Sequence, residues 1–331
     1  MKRLRLRLSN AFLHLCAGSA AMLLSSAVLA SECIAPAKPR AGFDLTCELL
    51  RVGLPLSNPD IAPMTVNYMP GGIGAVTFNA IITQRNAEPD TLVAFSGGSL
   101  FGISQGRFGK YGVNDVRWLA GIGVDHGVLI VRSNSPYRKL TDLLAALNKN
   151  PEKVVMGGSG TVGSQDWMKA ALIAKAARLG RNAFRFVGFE GGGEANEALQ
   201  KGYVDVVSGD YSEALGLIRN GAQIRILTVL APSRLPHQPA EVLTAKEEGI
   251  DIVWSNIRGL YMGPRVPDAD YSRWVARMDR LLASAAFVQL RTDKGLLPLA
   301  QTGQPFSDQV QSLVRGYQQL LKESGWTVLP P

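Results

Sequence analysis

The sequence predicts an α/β fold of two lobes, one inserted into the other. Short apolar runs alternate with amphipathic, helix-spaced runs along the whole chain. That is the pattern of strands and helices in largely parallel sheets. The pattern changes around Gly127–Val131 and again around Ile252–Gly259. Behind its leader the chain runs on for about 300 residues, more than one core commonly serves.

Residues 1–30 read as an export signal. Lys2, Arg3, Arg5 and Arg7 form a basic start, and an apolar stretch runs from Ala11 to Leu24. Val28-Leu29-Ala30 is a small-residue cleavage site, so cutting is expected near Ala30. An uncleaved anchor would need about 20 apolar residues, and His14 and Gly18 interrupt this stretch. An exported protein with no stable membrane insertion after cleavage is therefore expected.

The chain holds 35 basic and 27 acidic residues. The leader removes four basic residues and no acidic ones, which leaves +4 (31 against 27). With no Lys/Arg cluster, nucleic acid is a poor partner. Cys16 leaves with the leader. Cys33 and Cys47 remain, an even pair in an oxidising compartment, and we read them as a disulfide. Two buried free thiols are the alternative. Metal binding is not expected from two thiols with His126 and His237, which lack ligand spacing. No cofactor is expected.

In chain order, the first helix is expected at Leu45–Arg51, opened by Ala41-Gly42-Phe43-Asp44. Met64–Tyr68 reads as a strand. Gly71-Gly72-Ile73-Gly74 opens a helix at Val76–Gln84. The strand Thr91–Phe95 ends in Ser96-Gly97-Gly98-Ser99. Strands at Trp118–Val124 and Gly127–Val131 precede a helix at Leu140–Asn148. Val154–Gly157, a glycine loop and a helix at Gln165–Arg178 follow. Next come Phe184–Gly188, Gly191-Gly192-Gly193, a helix at Ala195–Lys201 and the strand Val204–Ser208. Tyr211–Arg219 and Ile224–Val229 close the middle stretch. Leu260–Gly263 and helices at Ala269–Ala283, Phe287–Lys294 and Phe306–Glu323 complete the chain. The boundaries are then 31–127 with 256–331 for lobe one and 128–255 for inserted lobe two.

The glycine loops carry the chemistry. Each follows a strand and opens a helix, and a helix N-terminus bears unpaired N–H groups and a partial positive charge. Glycine lets a ligand come close to them. Several such mouths on one exported chain form an anion-gripping cleft.

Gly158-Ser159-Gly160-Thr161-Val162-Gly163 matches the dinucleotide fingerprint G-x-G-x-x-G. Export and its mid-chain position count against NAD. A carboxylate held by N–H groups, the Ser159 and Thr161 hydroxyls and a helix capped by Ser164 fits the same residues, as does a plain structural turn. Arg40 is either a carboxylate grip or a surface charge. Asp210 is either a ligand contact or a helix cap. There is no G-x-S-x-G elbow, and neither His126 nor His237 has an obvious nucleophile.

Taken together, three segments resemble the exported solute-binding proteins of tripartite tricarboxylate transporters, the TctC or Bug family. They are Cys33-Ile34-Ala35-Pro36-Ala37-Lys38-Pro39 with Gly42-Phe43-Asp44-Leu45-Thr46-Cys47, then Gly163-Ser164-Gln165-Asp166-Trp167-Met168, then Phe189-Glu190-Gly191-Gly192-Gly193-Glu194-Ala195. Val204–Asp210 also fits. The resemblance covers about 33–330. It implies a type II-like Venus flytrap, a two-lobed periplasmic binding protein with two crossing strands as hinge. Arg40 stands where the family pattern suggests another glycine.

The expected function is capture of a small di- or tricarboxylate, citrate-like, in the cleft between lobes, and delivery to a membrane permease. The chain is not expected to be an enzyme. The alternatives are an exported hydrolase using Ser159 or Ser164, and a binding protein that presents its ligand to a sensory receptor. Expected contacts are Ala41, Gly42, Phe43, Ser96 and Ser99 from lobe one. From lobe two they are Ser159, Thr161, Gly163, Ser164, Gln165, Gly192, Gly193 and Asp210.

Overall fold

A computed structural model of the chain describes residues 31–323, apart from 40, 60, 181 and 182. The leader, the cleavage site at Ala30 and Arg40 lie outside the described residues.

Lobe one begins with strand β1 (Glu32–Ala35), helix α1 (Gly42–Ser57) and strand β2 (Thr65–Tyr68). Helix α2 (Ala75–Thr83), strand β3 (Thr91–Ser96) and helix α3 (Gly97–Ser104) follow. β1 runs parallel to both β2 and β3. Cys33 on β1 is bonded to Cys47 on α1, with Cα atoms 5.5 Å apart. This disulfide ties the first strand to the first helix, as the sequence suggested.

Strand β4 (Arg117–Arg132) is one continuous run where two strands were expected. Its first half pairs with β9 (Ser255–Met262), ending at His126 opposite Ser255. From Gly127 onward it pairs with β7 (Val206–Asp210) and β8 (Ile224–Leu230). The return crossing lies beside it. Trp254 accepts a hydrogen bond from the Gly127 N–H at 2.9 Å and donates to the Leu230 carbonyl at 2.8 Å. These are the two crossing strands that the sequence led us to expect between two lobes.

The inserted half also holds helix α4 (Leu140–Lys149), strand β5 (Val155–Ser159) and helix α5 (Gln165–Ala176). Strand β6 (Arg185–Phe189), helix α6 (Gly192–Gln200) and helix α7 (Tyr211–Arg219) complete it. β5 lies parallel between β6 and β7. Strands β5, β6 and β7 each lead into a helix on the same side of the cleft, which places α5, α6 and α7 with their N-termini toward it.

The chain returns through β9 to helices α8 (Asp268–Ala283), α9 (Ala285–Asp293) and α10 (Gly303–Glu323). Leu49, Leu50 and Leu54 of α1 pack with Trp274, Met278 and Leu281 of α8 and Phe287 of α9. Where the halves meet, Tyr317 of α10 stacks on Trp254 at 6.2 Å and meets Phe101 of α3 edge-on at 5.3 Å.

The sequence missed two elements. β1 is four residues long and is cut short by Pro36. α3 opens with Gly97-Gly98, poor helix formers. Its support is a capping box between Ser96 and Ser99 and burial of nearly every residue. Packing overrides propensity there.

Candidate functional site

Five strand-to-helix mouths, those of α1, α3, α5, α6 and α7, converge where the halves face each other, and they do not end alike. At α7 the Ser212 N–H donates to Asp125. At α5 the Ser164 hydroxyl accepts from the Trp167 N–H. At α3 the Ser96–Ser99 box closes the end. The starts of α1 and α6, at Ala41 and Gly191, have no side-chain cap. These two open ends approach each other from opposite lobes: a β-carbon on Gly191 would lie 3.9 Å from that of Ala41. Between them is a cavity of about 540 Å³.

Most of the expected contacts meet there. Ala41, Gly42, Phe43, Ser96, Ser159, Gln165, Gly192, Gly193 and Asp210 all line the cavity. Four others lie outside its wall. The Ser99 hydroxyl is taken up by the α3 cap and the Ile73 carbonyl. The Ser164 hydroxyl donates to the Ser159 carbonyl while capping α5. Thr161 is exposed and faces Arg107. Gly163 has φ +83°, and its carbonyl accepts from Gln105. Gly160, at φ +79°, and Gly163 need the left-handed region. The glycine spacing thus serves the turn geometry, the plain alternative in the sequence.

Beneath the cavity lies a buried ionic network that the sequence did not reveal. Lys169 Nζ reaches Asp166 at 2.8 Å, Asp210 at 3.0 Å and the Gly209 carbonyl at 2.6 Å. Arg258 donates to Asp125 from both Nε and Nη2, and to Asp210 at 3.2 Å from Nη2. Asn256 donates to the same Asp210 oxygen as Arg258, Oδ2, at 2.6 Å, and Lys169 takes Oδ1. Burial alone would raise the Asp210 pKa, but Lys169 and Arg258 override it and hold the carboxylate low. Burial alone would lower Lys169, and Asp166 and Asp210 hold it above its ordinary value. Asp210 therefore lines the cavity with both oxygens already bonded.

Glu213, in the first turn of α7, lines the same cavity. Among the described residues it has neither a hydrogen bond nor an ion pair. Burial, then the charge of Asp210, with Arg258 opposing, pushes its pKa up to about 8. Arg258, Lys169 and Asp125 come together only in space. The one local hint was the Asp166, Lys169 spacing of three on a helix.

Side chains also join the lobes. Lys38 meets Glu194 at 2.6 Å across the cleft mouth. Gln105 and Arg107 donate to the carbonyls of Gly163 and Val162, each at 2.9 Å. Among the described residues no His, Cys, Asp or Glu cluster fits a metal ion, and no helix is long and apolar enough to cross a membrane.

The family model described as the tripartite tricarboxylate transporter family receptor, TctC, matches residues 109–326. No curated protein matches the chain by sequence. Its fold is similar to that of MatC (Rpa3494) from Rhodopseudomonas palustris with bound malate, at TM-score 0.76 and 18% identity over 88% of this chain and 98% of that one. It is also similar to R. palustris Rpa4515 with adipate, at 0.78 and 16% over 89% and 97%. The periplasmic binding protein BugD aligns at 0.78 and 15% over 89% and 97%.

Proposed function

This chain belongs to the tripartite tricarboxylate transporter receptor family, TctC, and from that premise we propose that it captures a small organic carboxylate between its lobes and delivers it to a membrane permease. The family is one of solute receptors, not enzymes. The observation that carries the carboxylate is the pair of uncapped N-termini, α1 and α6, facing one cavity from opposite lobes. Each offers free N–H groups and a partial positive charge to an anion. Arg258 adds to the α1 end, where a β-carbon on Gly42 would lie 2.2 Å from Nη1.

The relatives with bound malate and adipate support a dicarboxylate. The cavity also has room for a citrate-like tricarboxylate, which is the second choice because so many carboxyl groups already line it. Residues 31–127 with 256–331 and residues 128–255 then act as two bodies hinged at His126–Gly127 and Trp254–Ser255. Binding favours the closed form through contacts that the open form lacks. Lys38–Glu194 and the Gln105 and Arg107 bonds would be among those that close. We place the working protein in the periplasm, after cleavage near Ala30.

The test is a thermal-shift screen of protein stripped of co-purified ligand against malate, succinate, adipate, citrate and aspartate. A ligand that binds only the folded state raises the melting temperature by mass action. A shift with one or more acids is expected. A flat response to all of them, from folded protein, would overturn the carboxylate assignment.

A further inference from the structure

We propose that the ligand carries a protonated amine as well as a carboxylate, and that Glu213 is the residue that selects it. This adds to the carboxylate assignment above and depends on it.

The position of Glu213 is unusual. A β-carbon on Gly42 would lie 2.7 Å from its Oε1, and one on Gly192 would lie 2.0 Å from its Oε2. Its carboxyl group thus rests between the first residues of α1 and α6, on the cavity wall. Every other carboxylate of the floor is engaged. Asp125 holds Arg258 and Ser212, Asp166 holds Lys169 and the Ser159 N–H, and Asp210 holds Lys169, Asn256 and Arg258. Of these four floor carboxyl groups, Glu213 faces the cavity with no partner of its own among the described residues.

The charge balance of the floor sets what that partner is. Three carboxylates, Asp125, Asp166 and Asp210, face two cations, Lys169 and Arg258. Lys169 is spent on Asp166, Asp210 and the Gly209 carbonyl. Arg258 Nε and Nη2 are spent on Asp125, Asp210 and Ser212. The donor left over, Arg258 Nη1, points at Gly42 and the α1 end, where the ligand carboxylate is placed. An anionic group at Glu213 would add negative charge to a site that already has an excess, in a medium where charges are weakly screened. An ammonium at the same place neutralises that excess and donates to the free carboxyl group.

Matched acids that differ only in the amine test this. Calorimetric titrations compare aspartate with succinate, and 5-aminovalerate with valerate, on wild type and on Glu213→Gln. The amine-bearing acid of at least one pair should bind wild type at least tenfold more tightly, about 1.4 kcal/mol. In Glu213→Gln that preference should fall to threefold or less. Equal or tighter binding of both amine-free acids to wild type overturns the inference but leaves the carboxylate assignment standing. A preference that survives unchanged in Glu213→Gln removes Glu213 from the role. If no acid of either pair binds wild type while malate, adipate or citrate does, this inference is overturned and the carboxylate assignment stands; if none of them binds, both fail. Should Glu213→Gln not fold, Glu213→Asp, which keeps the charge, must retain a reduced preference.

Discussion

Arg258 on β9 and Asp210 at the end of β7 stand 3.2 Å apart, joined across the seam between the two halves of the sheet. Both are buried. The pair links a strand of the first lobe to a helix mouth of the second, directly beneath the cavity. The proposed ligand grip and the lobe geometry therefore share one set of charges.

Removing the arginine should expose that dependence. Arg258→Leu leaves Asp125 buried without its cation, and breaking a buried pair from one side costs about 3–5 kcal/mol. Urea unfolding should show a lower midpoint at an unchanged slope. An unchanged midpoint would contradict a structural role for the pair.

Much of the lining of the candidate site could be read in the sequence because glycine is demanded locally. The starts of α1 and α6 run close to an arginine and a carboxyl group: a β-carbon on Gly42 would meet Arg258 Nη1 at 2.2 Å and one on Gly192 the Glu213 carboxyl at 2.0 Å. The charges beneath could not be read that way. Arg258 and Asp125 are 133 residues apart, and Lys169 and Asp210 are 41 apart. Only the sheet order brings them together. Ser164 and Thr161, which lie outside the cavity wall, could not be told apart from lining residues for a local reason: hydroxyls beside a glycine loop suit a ligand and a helix cap equally well. The pairing of Cys33 with Cys47 was legible because only two cysteines followed the leader.

That disulfide should contribute stability more than affinity. It closes a loop with a sequence separation of 14, worth about 3 kcal/mol in the chain-entropy model. Cys33→Ser with Cys47→Ser should lose roughly that much in denaturant unfolding. Ligand affinity should stay within threefold, because Leu49, Leu50 and Leu54 still seat α1 on the core. A large loss of affinity at modest loss of stability would show that the bond positions the α1 mouth itself.

Two glycine substitutions should separate binding from folding. In Gly192→Ala the new β-carbon meets the Glu213 carboxyl at 2.0 Å, the free end of a side chain that is able to swing away. Stability should change by less than about 1 kcal/mol. Affinity for the acid found in the thermal screen should fall at least tenfold. In Gly42→Ala the clash falls on Arg258 Nη1 at 2.2 Å, whose guanidinium is held by Asp125. That variant should lose stability as well as binding. Wild-type affinity in Gly192→Ala would place the ligand away from the α6 end.

The last prediction concerns pH and follows from Glu213. Its folded pKa stands at about 8 against an ordinary 4.5, first because of burial and then because of Asp210, with Arg258 opposing and Asp166 and Asp125 adding. Lys169, on α5, is the other cation of the network. Between those two values the folded chain keeps a proton that the unfolded chain has released. Stability therefore falls as pH rises through this window and levels off above it. Asp210 has a depressed pKa and acts below 3.8, outside the window. Unliganded Glu213→Gln, which cannot ionise, should match wild type near pH 5 and exceed it by on the order of 2 kcal/mol near pH 8, a figure reduced for partial solvation of the carboxyl. A gap that stays constant from pH 5 to pH 8 would show that Glu213 does not titrate there. Binding should run the other way. An ammonium ligand requires the ionised carboxylate, so its capture below pH 8 releases a proton, and its affinity should climb from pH 6 to pH 8 in wild type but not in Glu213→Gln.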